Sequence, residues 1–209
     1  MHADPTDTAV AGLRLLVGPA QLHDRVNELA AELRGVYSDA DRPVLVSVLK
    51  GATLFLADLV RCAGIDCEVE FMSISSYGSP QANSGTVRIE QDLSTDIAGR
   101  HVLVVEDIID TGLTLNYLMR VLRAREPASL RVCTLLDKDV RRIVDLPIDH
   151  VGFSIPDVFV IGYGLDYAEE YRHVDAIFVA DDLDALAADP ACYAEILCCG
   201  GTGSLPTAL

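Results

Sequence analysis

Short, almost wholly apolar runs alternate with stretches of helical spacing, and no other feature of the chain limits its fold so tightly. Pro43-Val44-Leu45-Val46-Ser47-Val48-Leu49 and His101-Val102-Leu103-Val104-Val105 have the length of a strand and are almost wholly apolar, and Leu130 to Leu136 reads as a strand again. Such strands belong to a parallel sheet with helices above and below. The intervening segments supply the helices. Leu22, Val26, Leu29, Leu33 and Val36 recur at spacings of four and three, with Pro19 near the start of the predicted helix and Gly35 near its end. Thr53 to Cys62 resumes that spacing and Gly64 stops it. Leu115, Leu118, Met119 and Leu122 make the inward face of a third helix, closed off by Pro127. His150 to Phe153 and Phe159 to Gly162 read as further strands. Together these segments predict an α/β fold with a mainly parallel sheet.

Cys67 to Ile74 alternates as a strand, Ser75 to Gly85 is a polar loop of small residues, and Thr86 to Ile89 returns. A long hairpin of this kind in a compact domain often serves as a lid or binding loop. Residues 1–18 read as a loose arm into the fold, residues 1–11 being flexible and the domain proper running from 12 to 180. Residues 181–209 are an acidic C-terminal extension, helical from Asp181 to Leu197, with a tail expected to be disordered.

Glu106-Asp107-Ile108-Ile109-Asp110-Thr111-Gly112-Leu113-Thr114 follows the strand at His101–Val105 and leads into the third helix. Ligands of open α/β sheets bind beyond the carboxyl ends of strands. Glu106 and Asp107 offer acceptors there to sugar hydroxyls and to a hydrated Mg²⁺, which prefers oxygen ligands. The hydroxyls of Thr111 and Thr114 and the free N–H groups of the first helical turn suit a phosphate, and Gly112 lets the backbone come close. There is no Gly-Lys-Ser/Thr and no G-x-G-x-x-G, so the nucleoside triphosphate loop and the dinucleotide fingerprint are both excluded.

The segment Val104 to Gly112 resembles the phosphoribosyl-diphosphate signature of the type I phosphoribosyltransferases. Leu49-Lys50-Gly51, Ser75-Ser76-Tyr77-Gly78, Leu135-Leu136-Asp137-Lys138, Val151 to Asp157 and Val160 to Tyr167 are similar to blocks of the hypoxanthine-guanine branch of that family, in the same order. The resemblance spans roughly residues 12 to 180. It implies the family's fold: a mainly parallel twisted sheet flanked by helices, with a mobile hairpin lid and a small hood. It also implies purine salvage, in which a 6-oxopurine and phosphoribosyl diphosphate, with Mg²⁺, give a nucleotide and diphosphate. By resemblance, Glu106 and Asp107 hold the ribose hydroxyls and the metal, Asp110 is the general base toward N7, and Asp110 to Thr114, including Leu113, grip the 5′-phosphate. Lys50, Gly51 and Arg172 bind diphosphate, in a loop where the family often carries a non-proline cis peptide. Ile108, Lys138, Phe159, Val160 and Asp166 bind the purine, Lys138 through the 6-oxo group, Phe159 by stacking and Val160 through its backbone. Asp166 is also a metal ligand, and Ser76 and Tyr77 ride on the lid. A homodimer or homotetramer is implied in the same way.

Some residues depart from the family pattern. Leu113 stands where some relatives carry lysine, Ala52 where some carry a second glycine, and Asp139-Val140 where many bacterial relatives carry a proline-containing pair. The fold also serves regulators that sense the activated ribose and bind nucleic acid, but those need a basic face. A formal net charge of −16 argues against one, and it means that a polyphosphate must be held by local devices rather than bulk attraction. No apolar run is long enough to span a membrane and the start of the chain is acidic and polar, so the expected location is cytoplasmic, with neither membrane nor nucleic acid as partner. The six cysteines form no C-x-x-C pair, which argues against a zinc site or a disulfide framework; Cys62 and Cys133 read as core residues.

Overall fold

The computed structural model describes residues 9–10, 12–77 and 86–198. In chain order the elements are β1 (Ala9–Val10), β2 (Leu13–Val17), α1 (Pro19–Val36), β3 (Val44–Val48), α2 (Thr53–Ala63), β4 (Glu68–Tyr77), β5 (Thr86–Gln91), β6 (His101–Ile109), α3 (Leu113–Arg123), β7 (Ser129–Asp137), β8 (His150–Ser154), β9 (Val160–Ile161), β10 (Ile177–Ala180), α4 (Leu183–Ala188) and α5 (Ala194–Cys198). The chain divides into two compact units, Arg25–Asp157, and Met1–Asp24 together with Val158–Leu209.

The first unit is built on a six-stranded sheet of order β5-β4-β3-β6-β7-β8. The neighbours from β4 to β8 are parallel, and β5 is an antiparallel edge strand that closes a hairpin with β4. The period-2 alternation of the strands sorts their side chains onto two faces. On one face Val44, Val46, Val102, Val104 and Val132 pack with the predicted stripe of α3, namely Leu115, Leu118, Met119 and Leu122. Leu45, Leu103 and Leu135 point to the other face and are fully buried. There α2 lies against β3 and β6, burying Phe55, Leu56, Leu59 and Ala63, and Gly64 ends that helix in the left-handed region at φ 59°. Arg25 of α1 donates to the carbonyls of Gly152 and Val151 on β8, which ties the edge of the sheet to the helix. The α/β fold with a mainly parallel sheet is thus the one the strand runs predict. Cys133 is a core residue whose thiol burial pushes up to about 12, whereas Cys62 is only half-buried.

The second unit holds a four-stranded antiparallel sheet of order β1-β2-β10-β9. Here the sequence reading needs correction. Leu13–Val17, read as part of a loose arm, is a strand paired with β10, and β10 itself was not anticipated. Its core is Leu13, Ile161, Tyr171, Val174 and Ala180, joined by Leu186 and Tyr193 from beyond residue 181. Two short helices, α4 and α5, occupy the acidic stretch read as helical. The tail from Cys199, the arm at 1–8 and the loop at 78–85 lie outside the described residues.

Candidate active site

The central strands β3, β6 and β7 are neighbours, and the predicted residues of the first unit stand at their carboxyl ends. Pairing of β3 with β6 stops at Ser47–Val105, whereas β6 continues to pair with β7 as far as Ile109–Asp137. The last turn of β6 is therefore left beside the chain that leaves β3. That chain turns sharply at Lys50-Gly51, where the peptide bond between Leu49 and Lys50 is cis. The resemblance points to Lys50-Gly51 as the place for a cis bond, and the structure corrects this to the peptide on the amino side of Lys50. The backbone N–H and hydroxyl of Thr53 both donate to the Lys50 carbonyl and fix the turn ahead of α2. Gly51 is needed there: a Cβ would stand 1.6 Å from Oδ2 of Asp107. The Asp107 carboxylate therefore rests against the turn, and its Oδ1 accepts from the Ile108 N–H at 2.7 Å.

Glu106 points the other way, as alternation along a strand requires. Its side chain is buried, and burial, reinforced by the neighbouring Asp107 charge, pushes its carboxyl well above the usual carboxylate range. Ile109 is a core residue and Ile108 is half-buried. Asp110 and Thr111 then turn out of the strand, and Gly112 caps α3 in the left-handed region at φ 77° with no side-chain cap. The helix opens with its first N–H groups aimed out of the turn, one of them (Leu113) 3.5 Å from the Thr111 hydroxyl. The Leu113 and Thr114 side chains are exposed. Leu113 therefore contributes its backbone to the turn, and its side chain stands where a lysine would reach outward.

The loop after β7 clasps this turn. The Lys138 N–H donates to the Ile109 carbonyl and the Ile143 N–H to the Thr111 carbonyl, both at 3.0 Å. Lys138 is buried, with Nζ 3.8 Å from Asp157. Asp139–Arg141 forms a 3-10 turn. That turn presents Arg141, whose Nη1 lies 3.2 Å from Asp110 and 3.5 Å from Asp157. Asp110, Arg141, Asp157 and Lys138 thus form a line of alternating charges, in which Oδ1 of Asp110 is buried without a hydrogen-bond partner. Arg142 pairs with Asp137 and donates to the Leu146 carbonyl. The sequence reading missed Arg141, Arg142 and Asp157 as site residues. Their one signal was a basic pair four residues after a strand end that already carried a lysine.

The second unit brings its own predicted residues together. Phe159 packs edge-on to Tyr167, with ring centroids 5.8 Å apart, and is partly buried against the core. Ala180 donates to the Phe159 carbonyl and Val160 stands opposite Val179, so Val160 turns its backbone groups toward the open edge of the sheet at β9. Arg172 organises the following loop. Its Nη1 donates to the Gly164 carbonyl at 2.7 Å, and its Nη2 lies 2.8 Å from Asp166 and 3.4 Å from Glu169. The other Asp166 oxygen accepts from the Glu169 N–H. Asp166 belongs to a different unit from Glu106 and Asp107, the other two predicted metal ligands. Ser76 and Tyr77 sit near the end of β4, paired with Val87 and Thr86. Their side chains lie outside the described residues.

Residues 19–168 match the profile of the phosphoribosyl transferase domain. The chain is 48% identical to the hypoxanthine phosphoribosyltransferase of Haemophilus influenzae over 165 residues, which is 78% of this chain and 92% of that protein. It is 46% identical to the hypoxanthine-guanine phosphoribosyltransferase of Bacillus subtilis over 166 residues, 79% and 92% of the two. A crystal structure of a hypoxanthine-guanine phosphoribosyltransferase from Bacillus anthracis superposes with a TM-score of 0.75 at 43% identity, covering 79% of this chain and 96% of that one. With the profile spanning most of the chain and relatives nearly half identical over more than nine-tenths of their own length, this chain belongs to the phosphoribosyltransferase family.

Proposed function

We propose that the chain is a purine-salvage enzyme that joins hypoxanthine or guanine to 5-phosphoribosyl 1-diphosphate, giving IMP or GMP and diphosphate. The observation that carries this reading is Lys138, a buried cation bonded through its backbone to the phosphate turn. A lysine offers only donors, so it favours a 6-oxo group over the donor amine of adenine. The relatives named above, all oxopurine transferases, support the same choice.

The roles follow from the chemistry of each residue. Asp110 to Thr114 hold the 5′-phosphate on the open end of α3, and Glu106 and Asp107 hold the ribose hydroxyls. Lys50, Gly51 and Arg172 take the diphosphate, the guanidinium fork matching its oxygens. Ile108 and Phe159 face the purine ring, and Val160 and Asp166 read its edge. A purine nitrogen attacks the anomeric carbon as the bond to diphosphate breaks, the diphosphate leaves with the electron pair, and the N7 proton passes to Asp110. Ser76 and Tyr77, on the β4–β5 hairpin, would close over the sugar and exclude water.

Mg²⁺ fits the donor set. Glu106 and Asp107 are hard oxygen donors, and the mutual repulsion that helps push Glu106 up would be relieved by a cation. Among the described residues no three His, Cys, Asp or Glu side chains gather closely enough to hold a metal unaided, so the ion suits a shared site with substrate oxygens and water. When bound it would neutralise charge on the departing diphosphate. Asp166 is assigned to the metal as well.

We assign the transferase domain to residues 12–180, the protein to the cytoplasm, where charged nucleotide precursors are retained, and the assembly to a homodimer or homotetramer that sedimentation velocity can count. No helix of the described residues is long and apolar enough to cross a membrane. The deciding assay follows absorbance with phosphoribosyl diphosphate, Mg²⁺ and each of hypoxanthine, guanine, xanthine and adenine. Turnover of a 6-oxopurine is expected. None with any of them would sink the reading, and preferred turnover of adenine would overturn the role of Lys138.

A further inference from the structure

The loop that carries Arg172 is held in an unfavourable backbone shape. Tyr163, Ala168, Glu169 and Tyr171 all have positive φ, at 49°, 52°, 71° and 74°, and none is glycine. Side chains disfavour that region, so such a loop persists only when its surroundings fix it. Part of the fixing is internal: the guanidinium of Arg172 bonds Gly164 and Asp166, and the Gly164 N–H donates to the Arg172 carbonyl. Further internal bonds join Tyr163 to Val174 and Glu170 to Tyr167, and another part of the fixing comes from residues that follow the last strand. Tyr171 is 1% exposed, and its hydroxyl donates to the Pro190 carbonyl at 2.5 Å and accepts from the Tyr193 N–H at 3.1 Å. The two tyrosine rings pack with centroids 6.4 Å apart. Pro190 and Tyr193 are themselves anchored, because Leu186 and Tyr193 are buried in the core of the unit with Leu13, Ile161 and Val174, and Asp182 caps α4 through the Ala185 N–H.

We propose that the acidic C-terminal extension is a positioning element for diphosphate binding, and that the Tyr171 hydroxyl, clamped by Pro190 and Tyr193, sets the placement of Arg172. The helices of the extension lie beyond residues 19–168, the part of the chain that matches the family profile. The inference rests on the reading of Arg172 as a diphosphate ligand. Tyr171 is peptide-bonded to Arg172 and does not itself touch substrate. Its hydroxyl makes two of the bonds a phenol can form, one donated and one accepted, so Tyr171→Phe removes the clamp while keeping the ring and its packing.

The test is steady-state kinetics of full-length Tyr171→Phe beside Arg172→Lys, with Mg²⁺ and both substrates varied. The expected result for Tyr171→Phe is a rise in KM for phosphoribosyl diphosphate of about five- to twentyfold, with KM for hypoxanthine within about twofold of wild type. A merely structural role would move both KM values together with the thermal midpoint, and that outcome overturns the proposal. An unchanged KM for phosphoribosyl diphosphate in Tyr171→Phe, with the same KM raised in Arg172→Lys, also overturns it. If Arg172→Lys itself leaves that KM at the wild-type value, the diphosphate reading of Arg172 fails and the inference goes with it. Should Tyr171→Phe not fold, Leu186→Ala loosens the extension at a distance from Arg172 and is expected to raise the same KM selectively. A uniform loss in that variant would count against the clamp.

Discussion

The turn that ends β6 and the loop that carries Arg172, the two segments we propose as anion sites, are held in shape by opposite means. The β6 turn draws on regular structure: β6 and β7 stop together at Ile109–Asp137 past the end of the adjacent β3, and glycines stand at the two points where the backbone must approach closely or turn left-handed. The Arg172 loop has almost no regular structure. It is a run of positive-φ residues tied by one arginine and by a tyrosine hydroxyl that reaches residues well along the chain. Where repeating backbone geometry builds the site, a short sequence specifies it. Where side chains hold an irregular backbone, distant residues become part of the site.

If the β6 turn does the chemistry, its substitutions should dominate. Asp110→Asn is expected to lower kcat by about two to four orders of magnitude, the usual range for losing a general base, with the binding of phosphoribosyl diphosphate nearly unchanged. Unchanged turnover would remove Asp110 as the base. Gly51→Ala should follow, with a fall in kcat/KM of about a hundredfold, because its Cβ would displace the Asp107 carboxylate and misplacement of that order is worth about this much. A near-wild-type Gly51→Ala enzyme would show that the contact between the turn and Asp107 is incidental.

Smaller effects test the electrostatics of the same region. Burial and Asp107 raise the Glu106 carboxyl well above the usual range in the folded chain. The protonated form therefore favours folding, and its contribution is full at acidic pH and lost as pH rises through the raised value. In metal-free protein, Glu106→Gln should gain stability over wild type as pH rises from the ordinary carboxylate range toward neutrality, read as a difference in thermal midpoint. A constant difference across that range would contradict the assignment. The smallest effect should come from Arg141→Gln. Its pair with Asp110 is nearly half exposed on both sides, so solvent screening limits it to about 0.2–1 kcal/mol of stability, measurable by denaturant titration. A larger loss would mean that the line from Asp110 to Lys138 behaves as one network.

The comparison also explains what could be read from the sequence. The sheet strands, the three amphipathic helices, the β4–β5 hairpin and the Gly64 cap carry local periodicity or turn chemistry and are present, although β4 runs on through Tyr77 and β6 through Ile109, past the ends the pattern puts on them. The residues after β3, β6 and β7 stand at neighbouring strand ends because the strands that carry them were legible, and the roles proposed for them rest on types that suit phosphate, sugar and metal. By contrast β2 and β10 pair antiparallel across most of the length of the chain, and nothing in Leu13–Val17 or Ile177–Ala180 announces the partner. Arg141 reads as one solvated charge in a polar run until the 3-10 turn aims it at Asp110. Tyr171 reads as one more aromatic until its hydroxyl is seen on the Pro190 carbonyl.

Lys138 joins the two halves of the proposed function, since its N–H bonds the Ile109 carbonyl at the β6 turn and its ammonium is the group we assign to the base. The most direct measurement is therefore kcat/KM for hypoxanthine, guanine and adenine in wild type and in Lys138→Met. The account predicts a wild-type preference for a 6-oxopurine over adenine of at least about a hundredfold, shrinking to within about tenfold in Lys138→Met. A wild-type enzyme that uses adenine as readily as hypoxanthine, or a preference untouched by Lys138→Met, would contradict it.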